Sequence, residues 1–162
     1  MTNYDESPMA IIVSHQITPP VKVGAIAKAL GISVKRTPLG QFMAGSLIRD
    51  RLRGGTSGFL VLLNSDDSET RQKFTLAHEI AHFVLHRDLI DVGVNDDTMY
   101  RSELSNYLEV QANQLAADII MPIRLVKKAM QSETNPKALA KMFEVSEQAM
   151  KIRLSGMSIK AM

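Results

Sequence analysis

Apolar residues recur at helical spacing most clearly between residues 74 and 86, where the sequence reads FTLAHEIAHFVLH. One face of this predicted helix would carry Phe74, Ala77, Ala81, Val84 and Leu85. No Gly or Pro interrupts the pattern. Asp66, Asp67 and Ser68 can each cap the start of such a helix, and Glu69 places negative charge in its first turn. The segment is therefore predicted to form a buried helix.

The same periodicity predicts helices on both sides of this segment. Residues 21–30 carry a helical pattern that Gly31 can end. Residues 104–121 form a longer amphipathic stretch, and residues 123–130 can form a short helix after it. Residues 87–101, between the two longest predicted helices, are rich in polar side chains and are expected to form a long loop.

Three short apolar stretches, residues 32–34, 42–48 and 59–63, predict strands. The turn-rich segment 53–58 precedes the last of them, which favours an antiparallel hairpin with its neighbour. Residues 59–63 show no polar alternation, so this strand is expected to be covered on both faces or to lie deep in the sheet. Together the elements predict an α+β fold, in which a small antiparallel or mixed sheet packs on the helix 74–86.

Composition narrows the class of protein. The chain has 162 residues, no Cys and a net charge of +2, so we expect one domain over residues 1–162 without disulfides or thiol chemistry. The first residues lack the basic region of a signal peptide, and no apolar run reaches membrane-spanning length. A cytoplasmic protein without a membrane partner is expected. Arg49, Arg51 and Arg53 form a basic cluster whose alternate spacing is typical of a solvated strand end.

Within the predicted helix 74–86, His78, Glu79 and His82 form the pattern H-E-x-x-H. One helical turn separates the histidines, so their imidazoles can hold one Zn²⁺ while Glu79 acts on a water molecule. The alternative is that all three are ordinary polar positions on an amphipathic helix. A shared metal is favoured because unpaired polar groups on an otherwise apolar face are costly.

A catalytic zinc site needs a third protein ligand and keeps one position open. Glu109, one turn before Asn113 on the predicted helix 104–121, is the first choice for that ligand. Small residues on this helix would let it approach the histidines closely: Ala112, Ala116 and Ala117. Asp118 is the alternative, either as a ligand or as an acceptor for a histidine N–H.

The tail 135–154 predicts two short helices, with Pro136 at the start of the first and Ser146 as the cap of the second. Such a pair resembles a helix-turn-helix motif. DNA binding is one interpretation, but the second helix offers only Lys151 and Arg153 as cations, with few groups that could read base edges. Packing as part of the domain (residues 135–155) is therefore favoured over direct DNA binding.

Three longer segments carry a resemblance to a known family: NSDDSETRQKFTLAHEIAHFVLH, EVQANQLAADIIMP and the tail ALAKMFEVSEQAMKIRL. Together they resemble the ImmA/IrrE family of bacterial and phage metallopeptidases, over residues 26–154. The resemblance implies a zincin-like fold with one zinc ion held by His78, His82 and Glu109. Glu79 is then the catalytic glutamate. A set of two histidines and one glutamate suits Zn²⁺, although Mn²⁺ can also occupy it.

The resemblance also implies a function, which is to cut a helix-turn-helix transcriptional repressor and so release stress-response or mobile-element genes. Some relatives belong to toxin–antitoxin pairs. A regulator that binds a repressor or antitoxin without proteolysis is therefore the alternative, although an intact Glu79 favours the peptidase. The chain is similar to the minimal catalytic module of the family, without a sensor-like domain or a separate DNA-binding domain.

Peptide hydrolysis needs a further group to bind the oxyanion beside the metal. The sequence leaves four choices open: Tyr100, Arg101, Tyr107 and His86. His86 lies one more turn along the histidine face, where a supporting or surface role is favoured over that of a fourth ligand, because a fourth ligand would close the site to water. By analogy with zincin folds, the strand 59–63 is expected to pair with the substrate backbone.

Overall fold

The computed structural model describes residues 7–91 and 103–160, which form seven helices and three strands. In chain order these are α1 (Pro8–Ser14), α2 (Val23–Ala29), β1 (Ile32–Thr37), β2 (Gly45–Arg49), β3 (Phe59–Asn64), α3 (Glu69–Asp91), α4 (Glu103–Ile120), α5 (Ile123–Ala129), α6 (Pro136–Phe143) and α7 (Glu147–Lys160). The predicted α+β class is confirmed.

The sheet is mixed, with the strand order β1-β3-β2. β3 pairs with β2 in the antiparallel sense, which confirms the predicted hairpin, and with β1 in the parallel sense. Because β3 has a neighbour on each side, both of its edges are occupied and most of its side chains are buried. This position explains its unbroken run of apolar residues.

The central position of β3 makes one expectation wrong. A strand with two neighbours has no free hydrogen-bonding edge to offer a substrate backbone. β2 lies at the edge of the sheet instead. β2 also ends at Arg49, so Arg51 and Arg53 lie in a turn rather than on a strand, and Arg53 Nε donates to Asp50 Oδ2 at 2.7 Å.

The helix that carries H-E-x-x-H is longer than predicted. Ser68 Oγ accepts from the Arg71 N–H at 3.2 Å, so Ser68 is the cap among the three predicted choices. α3 then continues through Asp91, and the loop predicted from residue 87 is wrong for residues 87–91. No Gly or Pro interrupts the chain there, and Ile90 still packs against the core. Residues 92–102 lie outside the described part of the chain.

The core lies between the sheet, α3 and α4. Ala77, Ile80 and Ala81 on α3 are fully buried, and so are Ala112 and Ala116 on α4. Small residues on facing helices allow a close approach of the two backbones, as the alanine pattern of α4 predicted. Leu85 departs from the predicted apolar face of α3, since it is 46% exposed.

The C-terminal helices α6 and α7 pack into the same core. Leu139, Phe143, Val145 and Met150 belong to its cluster of buried residues. As predicted, Ser146 caps the second helix, accepting from the Ala149 N–H at 3.1 Å. None of the described helices is long and apolar enough to cross a membrane.

Candidate metal centre

Three histidines form a column along α3, because positions 78, 82 and 86 are each one helical turn apart. The rings of His78 and His82 meet edge to face, with centroids 4.6 Å apart. Their Nε2 atoms are 3.1 Å apart. The two ring nitrogens that could bind a metal thus point to the same place.

Glu109 meets these two nitrogens from α4. Its Oε1 lies 2.7 Å from His82 Nε2, and its Oε2 lies 3.0 Å from His78 Nε2. The tight packing of α3 on α4, through their buried alanines, brings the carboxylate to this position. The structure therefore brings together the three residues that the sequence proposed as ligands.

The electrostatics of the cluster follow from these contacts. Hydrogen bonds with His78 and His82 hold the pKa of the Glu109 carboxyl far below its usual range. Burial alone would lower the pKa of His78, but the Glu109 contact and the nearby Glu79 charge raise it above its ordinary value. Glu109 is consequently ionised at neutral pH, as a metal ligand must be.

The donor set fits a metal ion in kind and in spacing. Among the described residues, His78, His82 and Glu109 form a group whose ligand atoms all lie within 4.8 Å of one another. Ligands about 2.0–2.1 Å from a tetrahedral zinc are separated from each other by roughly 3.3 Å. The observed separations of 2.7–3.1 Å need only a small opening to reach that value.

Glu79 lines one cleft of about 660 Å³ together with two of the three proposed ligands, His78 and Glu109. The cleft is also lined by Phe42, Met43, Thr75 and Asn113. Glu79 is largely buried, with 8% of its surface exposed. Glu79 therefore lines the same cleft as His78 and Glu109, where a reacting group would bind.

Edge strand β2 forms one wall of this cleft through Gly45 and Ser46. The Asn64 N–H donates to Ala44 O at 2.9 Å, and the Asp50 N–H donates to Gly58 O at 2.8 Å. In an antiparallel pair the hydrogen-bonded residues alternate, so the even-numbered residues of β2 face β3. The backbone groups of the odd-numbered residues therefore point away from the sheet.

Gly45 holds this strand close to α3. A Cβ at position 45 would lie 2.6 Å from Thr75 Cγ2 and 2.8 Å from the Leu62 carbonyl oxygen. Only glycine permits so close an approach of β2 to Thr75. Thr75 lies three residues before His78 on α3. Neither Gly45 nor Thr75 was identified from the sequence, because a single glycine at a strand start carries no sign of what will lie against it.

Asn64 is a third residue that was not identified from the sequence. Its side chain is buried at the end of β3, where Nδ2 donates to Gly40 O and to Met43 O at 2.8 and 2.9 Å. Its Oδ1 accepts from the Asp66 N–H at 3.0 Å. Asn64 thereby fixes the loop that places Met43 at the cleft. A polar residue directly after an apolar strand is the signal that could have identified it.

His86, proposed for a supporting or oxyanion role, lies beneath the cluster rather than at the mouth of the cleft. Its Nδ1 is 3.0 Å from His82 Nδ1, and its Nε2 is 3.0 Å from Gln111 Oε1. Burial lowers the pKa of His86, and the charges of the other two histidines add to that effect. Gln111, on α4, was not identified from the sequence.

The remaining candidates lie apart from the cluster or outside the described residues. Tyr107 is on α4 and 61% exposed. Asp118 Oδ1 accepts from Arg153 Nη2 at 2.7 Å, and its carboxylate is not part of the metal-capable group. Tyr100 and Arg101 fall between residues 92 and 102 and are not described.

Comparisons with known proteins agree with this fold. A solved structure from Mycobacterium tuberculosis, described as a transcriptional regulator, is similar at a TM-score of 0.61 and 18% identity. The match covers 91% of this chain and 46% of that one, so this chain spans less than half the length of that protein. A search of curated proteins found no match. The family model Peptidase_M78, described as the IrrE N-terminal-like domain, matches residues 27–155, and the chain therefore belongs to that metallopeptidase family.

Proposed function

We propose that this protein is a zinc-dependent endopeptidase that hydrolyses one peptide bond in a specific protein substrate. The observation that carries the proposal is the convergence of His78, His82 and Glu109 within 2.7–3.1 Å, beside a cleft that His78 and Glu109 line together with Glu79. A purely structural zinc site has no need of such a carboxylate beside an open cleft. Membership of the metallopeptidase family supports the same conclusion.

The chemistry assigns one role to each group. Zinc held by His78, His82 and Glu109 would polarise the scissile carbonyl and lower the pKa of the attacking water. Glu79 follows His78 directly on α3, so its carboxylate can accept the proton of that water and return it to the leaving nitrogen. The low exposure of Glu79 keeps bulk water from competing for this proton.

Edge strand β2 is the part of the sheet that can hold an extended substrate. The outward backbone groups of Gly45 and Leu47 are free of β3 by the alternation of the ladder, so a peptide strand can pair with them. Phe42, which is 99% exposed, and Met43 stand at the entrance and offer apolar contact to a substrate side chain. These features support a polypeptide substrate rather than a small molecule.

We further propose that the substrate is a helix-turn-helix transcriptional repressor, whose cleavage in the cytoplasm derepresses stress-response or mobile-element genes. This part rests on the family, and on the similar fold of a protein described as a transcriptional regulator. The packing of the tail helices α6 and α7 into the core supports the proposal that they are part of a single peptidase domain.

The test compares the wild type with Glu79→Gln and a matched control, Glu69→Gln, in the first turn of the same helix. Bound zinc is measured in each protein, and each is incubated with the helix-turn-helix protein encoded beside it. All three should bind about one zinc ion. Glu79→Gln should lower the cleavage rate by about 10²–10⁴-fold, as expected for loss of a general base, while the control cuts normally.

Two results would redirect the proposal. Zinc bound by all three proteins, a stable complex with the repressor and no cleavage would favour the non-proteolytic regulator. Absence of metal from the wild type would show that the ligand assignment is wrong.

A further inference from the structure

We propose that His86 and Gln111 form a hydrogen-bonded relay that fixes the ring of His82 for metal binding, so that both are positioning residues of the metal centre. The inference deepens the proposed function and rests on it. It assigns a role to the third histidine of the α3 column and to a residue of α4 that was not identified from the sequence.

The relay is continuous in the structure. His82 Nε2 lies 2.7 Å from Glu109 Oε1, on the side where the metal would bind. On the opposite side of the same ring, His82 Nδ1 lies 3.0 Å from His86 Nδ1. The far side of the His86 ring then meets Gln111, with 3.0 Å between Nε2 and Oε1.

The positions of the protons follow from the metal. A neutral imidazole carries one N–H, and the nitrogen that binds a metal must offer a lone pair. If His82 Nε2 faces the metal, the His82 proton is on Nδ1 and is donated to His86 Nδ1. His86 Nδ1 is then an acceptor, so its proton is on Nε2 and is donated to Gln111 Oε1. Each group in the relay is satisfied by this one arrangement.

Metal-binding histidines usually donate their second N–H to a carboxylate, a carbonyl or a water molecule. Here the acceptor is a neutral imidazole, which sets the tautomer and ring orientation of His82 without adding negative charge beside Glu79 and Glu109. His86 is only 7% exposed, so water does not readily replace it as the acceptor.

The relay also links the metal centre to the packing of two helices. Glu109 and Gln111 are two residues apart on α4, and each contacts a histidine of α3. His82 is therefore held from both sides by α4, directly through Glu109 and indirectly through His86. A shift between the helices would alter both contacts together.

The test measures zinc affinity by chelator competition and records the visible spectrum of the Co²⁺-loaded protein. The variants are His86→Leu, Gln111→Met and Gln111→Glu, the last of which keeps an acceptor for the His86 N–H. The matched control is Gln72→Met. Gln72 is a buried amide on α3 that accepts from Arg36 Nε at 3.0 Å and donates to Asp67 O at 2.8 Å, away from the cluster.

We expect His86→Leu and Gln111→Met to weaken zinc binding about 10–100-fold, the usual effect of losing a group that orients a metal ligand. Both should shift the Co²⁺ spectrum, and the double variant should be no weaker than His86→Leu alone. Gln111→Glu should bind zinc with the wild-type affinity. Gln72→Met should lower the melting temperature and leave the zinc affinity unchanged.

Wild-type affinity and an unaltered Co²⁺ spectrum in both His86→Leu and Gln111→Met would overturn the relay alone. Equal weakening by the Gln72→Met control would also overturn it, because the effect would then be general loss of stability. A wild-type protein that binds no metal would overturn the proposed function as well, which separates the two failures.

Discussion

The helix pairs α3–α4 and α6–α7 are both part of the buried core, but they contain different kinds of side chain. Between α3 and α4, buried alanines bring the backbones together and leave a layer where His78, His82 and Glu109 meet. Between α6 and α7, the inward positions are apolar, with Phe143 and Met150 fully buried.

The two cations that the sequence offered for DNA binding, Lys151 and Arg153 on α7, have partners within the protein. Arg153 donates to Met121 O at 2.9 Å and to Asp118 at 2.7 Å, and Lys151 pairs with Glu147 at 3.2 Å. A helix that reads DNA needs such cations for phosphates. The difference between the pairs suggests that α3–α4 supplies the chemistry and α6–α7 supplies stability, and each half of that statement can be tested.

The largest effect is expected from Phe143→Ala. Phe143 is fully buried, so its removal should cost about 3–5 kcal/mol in the free energy of unfolding. Urea denaturation followed by circular dichroism measures the change. If α6–α7 were a separate module, the variant would unfold in two steps. The part that contains α3 would then unfold at the same urea midpoint as in the wild type.

The next largest effect on stability is expected from removal of the metal. Zinc at about 1,000 times its dissociation constant should stabilise the folded protein by about 4 kcal/mol, and a chelator should remove that gain. His78→Gln should abolish the response to zinc. His15→Gln makes the same chemical change at the end of α1 and should keep the full response. Melting curves with zinc and with chelator give the result, and an equal response in His78→Gln would contradict the ligand assignment.

The helical periods and the H-E-x-x-H spacing were enough to predict the helices of both pairs and the placement of the two histidines. Periodicity is a local property, so α3, α4 and the two tail helices could be predicted. The position of His82 one turn after His78 is likewise fixed by the helix itself. The choice of Glu109 needed only the assumption that α4 packs on α3, which its alanines favoured.

What the sequence could not provide depends on contacts between distant elements. The unbroken apolar run of β3 favoured a strand deep in the sheet, but the parallel pairing of β1 with β3, which gives β3 its second neighbour, has no local sequence pattern. The Gln111–His86 contact and the closeness of Gly45 to Thr75 are set by the packing of α4 and β2 on α3. α3 was predicted to end at residue 86, because the polar residues that follow were interpreted as a loop. The exposed side of a helix tolerates polar residues, and α3 continues through Asp91.

Gly45→Ala should have an intermediate effect, because it tests the wall of the cleft rather than the ligands. The added methyl group would lie too close to Thr75 and to the Leu62 carbonyl, and overpacking of this kind costs about 1–3 kcal/mol. Cleavage should fall further than zinc binding, since β2 would move away from α3. Gly24→Ala, where a Cβ meets nothing within 4 Å, is the matched control. Unchanged cleavage in Gly45→Ala would argue against β2 as the substrate-binding strand.

The smallest effect is expected from Lys151→Gln, which tests whether α7 binds DNA. Lys151 and Glu147 form an exposed pair one turn apart, worth about 0.3–0.5 kcal/mol, so the free energy of unfolding should hardly change. If Lys151 contacted a phosphate, its loss would reduce the salt dependence of DNA binding by about 0.9 in the slope of log K against log salt. We expect no such reduction in fluorescence anisotropy titrations with duplex DNA, because the side chain already has a carboxylate partner. A reduction of that size would mean that the tail binds nucleic acid while it packs the core, and the division of roles between the helix pairs would no longer hold.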